Sequence, residues 1–419
     1  MKTDRSFELY EESKKITPYG VSSPVRAFKP FPLFIKNGKG SKITDVDGNE
    51  YIDFCMAYGP LIAGHANPIV IKAAKKQIDM GTIYGTPSDT ELELLKKINS
   101  RVPCAENVRL TNSGTEATMH AIRLARGFTK KKGVIKVNGG FHGAHDSLLA
   151  TSGPTHSIPS SAGVSEDAVR NTYVIEYNDA FELDSLLQKN NDIAALIIEP
   201  VMGNIGVVPP KKGYLNEIRK ITFEHNVLLI FDEVITGFRV SGKCAQGLFG
   251  VTPDVCTLGK IIGGGFPVGA IAGKQEIMQY LAPAGPVYEA GTFSGNPVTA
   301  AAGSAILDIL SESSYSELKK KTDMITSQIT ELLNDRNIKG CVQSSTSMFQ
   351  IFFGVDSVTN GTDVGNIDSK TFEKMFKYML RSGIYLPPSP LETNFISTVH
   401  DNTDINKFIE IFDQFLRSV

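Results

Sequence analysis

Between about residues 68 and 305 the chain alternates short apolar runs with stretches of helical periodicity. The runs are 108–110, 133–137, 172–175, 194–198, 227–231, 255–258 and 268–272. This alternation predicts an α/β fold with a mostly parallel central sheet. Parallel strands need a crossover long enough to hold a helix, and those helices bury both faces of the sheet. Ligands of such sheets bind beyond the carboxyl ends of the strands. Three residues capable of chemistry fall there: Glu199, Asp232 and Lys260, each after an apolar run.

With 419 residues the chain is long enough for two or three domains and a large core. A hairpin is expected at 43–55, where Asp47-Gly48 supplies the turn. After Leu310 the pattern changes to helical stretches at 315–333, 369–380 and 403–416 with short strands at 348–353 and 383–385. We therefore expect an N-terminal segment (1–67), a large α/β domain (68–310) and a smaller α+β domain (311–419) that the N-terminal segment joins. A formal net charge of −2 gives no basic excess to attract nucleic acid. The N-terminus lacks an apolar signal core, and no window approaches the ~18 apolar residues of a membrane span. The five cysteines form no CxxC pair, so neither a zinc site nor a disulfide framework is indicated, and a cytoplasmic location is expected.

Lys260 is framed by glycines in Gly259-Lys260-Ile261-Ile262-Gly263-Gly264-Gly265. A lone lysine carries no message, since most are solvated. This frame lets backbone approach a flat ligand and removes the helical periodicity of an ordinary surface lysine. With Asp232 it fits pyridoxal phosphate chemistry: the amine forms a Schiff base with the cofactor aldehyde, and the carboxylate keeps the pyridine nitrogen protonated, so that the ring accepts electrons. Asp232 could instead cap a helix or pair with Arg239. Asn112-Ser113-Gly114-Thr115-Glu116 opens a helix after a strand, where free N–H groups and the helix dipole favour a phosphate. Alone it would read as a plain cap of Ser113 with Glu116. Phe141 follows a strand end and could lie flat on the pyridine ring or fill the core. Two further runs fail as nucleotide motifs. Gly237 to Lys243 has P-loop spacing, but Cys244 stands where a Ser or Thr hydroxyl would bind Mg²⁺. Gly263 to Gly269 lacks the dinucleotide spacing, and Pro267 would interrupt the helix that motif needs.

Together these residues resemble the class III aminotransferases of the fold-type I pyridoxal phosphate enzymes, over nearly the whole chain. Within that family, the segments starting Gly20-Val21-Ser22-Ser23-Pro24-Val25-Arg26, Ala57-Tyr58-Gly59-Pro60, Glu199-Pro200-Val201-Met202-Gly203-Asn204 and Gly291-Thr292-Phe293-Ser294-Gly295-Asn296 are similar to the glutamate-1-semialdehyde 2,1-aminomutases. The resemblance implies that Lys260 carries the cofactor and moves protons, and that Asp232 holds the ring nitrogen. Ser113, Gly114 and Thr115 hold the phosphate. Phe141 stacks on the ring where many relatives have tyrosine. Asn204 approaches the ring hydroxyl with Glu199 behind it. Thr292 reaches the phosphate of a partner subunit, which implies a homodimer. Ser23, Arg26 and Glu392 face a small-molecule substrate, Arg26 through its carboxylate, and no metal is implied. Residues 151–179 match a gating loop, with Pro154, Pro159 and Gly163 among its loop-forming residues. The implied reaction is an intramolecular amino transfer from (S)-4-amino-5-oxopentanoate to 5-aminolevulinate for tetrapyrrole synthesis, with the cofactor cycling through its pyridoxamine form. An ω-amino acid:2-oxo acid aminotransferase on the same scaffold is the alternative. A cofactor-free binding relative would have had no use for Lys260 and Asp232.

Overall fold

A computed structural model describes residues 1–153 and 157–418. The chain divides into two compact units: residues 69–315 with 358–365, and residues 1–68 with 316–357 and 366–419.

The larger unit is built on a seven-stranded sheet. Its order is Asn107–Thr111, Gly269–Gly273, Val255–Gly259, Leu228–Glu233, Ile193–Ile198, Gly133–Val137 and Thr172–Ile175. All pairings are parallel except those of Gly269–Gly273, which runs antiparallel to both neighbours. The expected α/β class and mostly parallel sheet are thus present. Strands such as Ile193–Ile198 are buried throughout, which is why their sequence is continuously apolar rather than alternating. Helix Gly114–Thr129 lays Ala117, Ala121, Leu124 and Ala125 over Ile197, Ile230, Val255 and Ile271, and its alanines allow close approach to the sheet. Helix Pro297–Ile309 packs behind the turn that carries Lys260. A Cβ on Gly303 would lie 2.0 Å from the Ile262 carbonyl oxygen, so only glycine permits that packing. Residues 358–365 group with this unit. Asn178 Nδ2 donates to Thr359 O (2.8 Å) and Thr362 Oγ1 donates to Glu176 Oε1 (2.8 Å).

Within 151–179, the stretch expected to gate the site, Thr172–Ile175 is the strand of the central sheet that its apolar run predicted. Ala150–Thr151 pairs with Ile158–Pro159, and Glu166–Val169 is a short helix. Residues 154–156, including Pro154, lie outside the described residues.

In the smaller unit, Lys42–Asp45 and Glu50–Asp53 form the expected hairpin, extended by Ile35–Lys39 and, in parallel, Ile384–Tyr385. A second sheet joins Gly340–Ser345, Met348–Phe353 and Asn394–Phe395. Phe54 is buried at the centre of an aromatic core, 4.9 Å from Phe408 and 6.2 Å from Phe349 between ring centroids. No helix among the described residues is long and apolar enough to cross a membrane.

Candidate active site

The carboxyl ends of the parallel strands in the larger unit gather most of the residues singled out by sequence. Asp232 pairs in register with Thr257 on the neighbouring strand, and Glu233 with Leu258. Lys260 follows two residues after Leu258, so the carboxylate and the amine rise from adjacent strand ends. Lys260 itself has φ 47, a left-handed conformation rare for a residue with a side chain. It opens the 3-10 turn Lys260–Gly263.

Asp232 is 4% exposed. A carboxylate so deep in the protein must be met by donors. His142 Nδ1 lies 2.7 Å from Oδ2, Thr257 Oγ1 donates to Oδ1 at 3.0 Å, and Val234 N donates to Oδ1 at 3.1 Å. The partner is therefore His142, and not the Arg239 weighed from the sequence. His142 Nε2 is buried and makes no hydrogen bond among the described residues. Nothing in the run Phe141-His142-Gly143 by itself gives the histidine a role. A buried carboxylate's need for a donor is the signal that points to it.

Ser113 caps helix Gly114–Thr129, its Oγ accepting from Glu116 N, while Glu116 Oε2 accepts from Asn112 N at 2.7 Å. The plain capping reading is thus realised, and it coexists with a glycine-lined cradle at the helix start. The cradle is closed by loop 141–143. Thr118 Oγ1 donates to His142 O (2.6 Å) and Ala144 N donates to Thr115 Oγ1 (3.2 Å). Gly143, at φ +87, sits where a Cβ would lie 2.6 Å from Thr115 Cα. On the other side a Cβ on Gly269 would lie 2.1 Å from Ser113 O. Val234 links the cradle to Lys260: its side chain lies 3.0 Å from a Cβ built at Gly114 and 3.2 Å from one at Gly259.

Phe141 is 51% exposed, so it is no core residue and its ring face is available. Glu199 organises its surroundings. Oε1 accepts from Phe141 N (3.2 Å), while Oε2 accepts from Gly203 N (2.8 Å) and Asn204 Nδ2 (2.9 Å). Burial raises the Glu199 carboxyl above its usual range and Asp232 adds to this. His142 and the donors from Gly203 and Asn204 oppose the rise. Lys136 is buried in strand Gly133–Val137, its Nζ donating to Leu148 O at 3.0 Å. Burial brings its amine down to about 8, with the Glu199 charge opposing.

Thr292 is exposed, beyond Gly291, which abuts the Asn112 amide; a Cβ on Gly291 would lie 2.8 Å from that nitrogen. In the smaller unit Ser23 precedes the 3-10 turn Pro24–Arg26, and Arg26 is exposed. Glu392 follows the turn in which its own N–H donates to Ser389 O (3.1 Å), and Gln350 Nε2 donates to Glu392 O. Arg26 and Glu392 are both close enough to Tyr58 for their charges to act on its phenol.

A deep carboxylate, a lysine on the next strand, a glycine-lined helix start and an exposed aromatic face suit a flat, phosphate-bearing pyridine aldehyde. If His142 aims Asp232, replacing it with leucine leaves that carboxylate short of a donor. The unmet group costs about 1–3 kcal/mol of fold stability, and a carboxylate no longer aimed by His142 loses about one hydrogen bond's worth of affinity for the cofactor, roughly tenfold. We expect His142→Leu to retain cofactor about tenfold less tightly in equilibrium dialysis. Wild-type retention by a folded variant would show that His142 only fills space.

A sequence profile of the family "Aminotransferase class-III" matches residues 24–415. The chain is 50% identical over 410 residues to glutamate-1-semialdehyde 2,1-aminomutase of Methanobrevibacter smithii, covering 97% of each chain. It superposes on an omega-transaminase from Sphaerobacter thermophilus with a TM-score of 0.92 at 29% identity, covering 98% of this chain and 97% of that one. It matches a transaminase with PLP bound with a TM-score of 0.91, also at 29% identity, covering 100% and 98%. The profile spans nearly the whole chain and the fold is shared throughout, so this protein belongs to the class III aminotransferase family.

Proposed function

We propose that this chain is a pyridoxal 5'-phosphate-dependent aminomutase that converts (S)-4-amino-5-oxopentanoate to 5-aminolevulinate. The observation that carries the reading is the register of Asp232 with Thr257, which sets Asp232 and Lys260 on neighbouring strand ends beside the Ser113–Thr115 cradle. Full-length relatives named as aminomutases supply the substrate.

When bound, the cofactor supplies an electron sink and an exchangeable amine. Asp232 holds its ring nitrogen, backed by His142 and Thr257. Ser113, Gly114 and Thr115 bind its phosphate through the helix start. Phe141 covers one ring face, and Asn204, held by Glu199, is placed for the ring hydroxyl. Lys260 Nζ takes a proton from the substrate carbon and returns one to the neighbouring carbon. The left-handed backbone at Lys260 aims that amine rather than letting it range over the surface. Ser23, Arg26 and Glu392 bind the substrate, with Arg26 meeting its carboxylate in a bidentate pair. Over the cycle the aldehyde carbon gains an amine before its neighbour gives one up, so nitrogen balances within one bound substrate and no external oxo acid takes part.

The working unit of this reading is a homodimer in which Thr292 meets the partner's phosphate. Ile69, Ile78, Met80, Leu92 and Phe293 are between 49% and 60% exposed on the larger unit, apolar surface that a partner subunit would cover. The same reading places the enzyme in the cytoplasm, where its five free cysteines suit a reducing medium.

Two measurements check these assignments. Lys260→Ala should still bind cofactor through the cradle, lose the absorbance band that needs the lysine, and drop turnover by about 10³-fold or more, as loss of a proton-transfer group does. Wild-type turnover would refute the role. In sedimentation, the 45.5 kDa chain should run as a dimer. Phe293→Asp should yield monomers that lose activity, and a fully active monomer would contradict the dimeric site.

A further inference from the structure

The turn that carries Arg26 is short and lies in solvent. Pro24–Arg26 is a single 3-10 turn, with Arg26 N donating to Ser23 O (3.1 Å) and Ala27 N to Pro24 O (3.0 Å). Val25 is 40% exposed, and Arg26 is exposed. A long cationic side chain on such a turn samples many positions, and ordering it on binding costs affinity. A contact from a distant part of the sequence reaches this turn: the Tyr58 hydroxyl donates to the Val25 carbonyl, 33 residues away.

Tyr58 is presented by unusual backbone. Met56, Ala57 and Tyr58 have φ 46, 56 and 64, so three consecutive residues with side chains are left-handed, and Gly59 follows at φ 119. L residues avoid that region because Cβ crowds the following carbonyl. Such strain persists only where the surroundings impose it, and it concentrates where a side chain must be aimed. Here Asp53 imposes it. Its Oδ1 accepts from Cys55 N (2.8 Å) and Met56 N (3.0 Å), and its Oδ2 lies 2.7 Å from His65 Nε2. Just before Cys55, Phe54 is held from two sides: its N–H donates to Tyr385 O (2.9 Å) and its carbonyl accepts from Phe395 N (2.7 Å). The run is therefore anchored on a buried carboxylate and two strand segments, while its last side chain reaches outward to the Arg26 turn. Burial above all, then Cys55 and Glu392, push the Tyr58 phenol upward against the opposing charge of Arg26. The hydroxyl stays protonated and able to donate.

We propose that Tyr58 is a positioning residue for substrate recognition: its hydroxyl fixes the Val25–Arg26 peptide, so that the Arg26 guanidinium is held ready for the substrate carboxylate. This rests on the reading of Arg26 as the carboxylate-binding residue. Phenylalanine would fill the same space but leave the peptide free to move. The loss therefore falls on binding rather than on the proton transfers at Lys260.

The test is steady-state kinetics of Tyr58→Phe, Arg26→Ala and the double variant, each with the absorbance spectrum of its bound cofactor. Tyr58→Phe should raise KM for glutamate 1-semialdehyde about fivefold, the loss expected of one hydrogen bond. Its kcat should stay within about twofold and its spectrum should not change. In the Arg26→Ala background the same substitution should alter KM by less than about twofold, because the group it positions is gone. Suppose instead that Arg26→Ala alone raises KM, while Tyr58→Phe acts equally in both backgrounds, acts on kcat or does nothing. The positioning role is then overturned and the Arg26 reading survives. An Arg26→Ala enzyme with the wild-type KM overturns the Arg26 reading, and the positioning role with it.

Discussion

The hydrogen bonds that hold the Asp232 carboxylate are what the rest of the site depends on. A charge with 4% exposure persists only where donors replace water, and His142, Thr257 and Val234 N do so here. Each donor comes from a different piece of the fold. Thr257 requires the parallel register between the two central strands. His142 requires the loop after Gly133–Val137, which Thr118 ties to helix Gly114–Thr129. That helix starts at the glycine-lined cradle. Fixing one carboxylate therefore fixes the strand that leads to Lys260, the loop that carries Phe141 and the start of helix Gly114–Thr129.

A second carboxylate extends the arrangement without competing for the same donors. Glu199 takes the backbone N–H groups of Phe141 and Gly203 and the amide of Asn204. Burial and the nearby Asp232 both raise its carboxyl, while donors and His142 pull the other way. The two acids thus hold different parts of one surface: Asp232 gathers His142, Thr257 and Val234 N, and Glu199 orders the neutral groups of Phe141, Gly203 and Asn204. Close backbone approach completes the surface, since Gly143 and Gly269 each stand where a Cβ would strike the cradle.

Much of this is legible in the sequence, for physical reasons that differ by element. The central strands are visible because burial on both faces makes them continuously apolar, and the 348–353 strand because all of it is buried and every residue but Gln350 is apolar. Strand Gly340–Ser345 escapes a sequence reading: its Gly-Cys-Val-Gln-Ser-Ser composition is half-buried along its length and gives no strong alternation. Strand Ile35–Lys39, largely exposed and carrying Gly38, escapes for a similar reason. Lys260, Asp232 and the Ser113–Thr115 cradle are legible because each residue type is chemically demanding at a strand or helix end. The partner of Asp232 is not, since it lies 90 positions away in sequence and two histidines, His142 and His145, stand close together. The left-handed run Met56–Tyr58 leaves no compositional trace, because three residues with side chains stand where glycine or asparagine would have announced it.

The central claim is that amino transfer begins and ends on one molecule. The most direct measurement incubates the purified, cofactor-loaded enzyme with glutamate 1-semialdehyde and no oxo acid or amino donor, and counts 5-aminolevulinate formed per active site. An aminomutase produces many equivalents under these conditions, and added 2-oxo acid does not accelerate it. If product stops near one equivalent and each further turnover requires an oxo acid, the chain is an aminotransferase and the intramolecular mechanism is wrong.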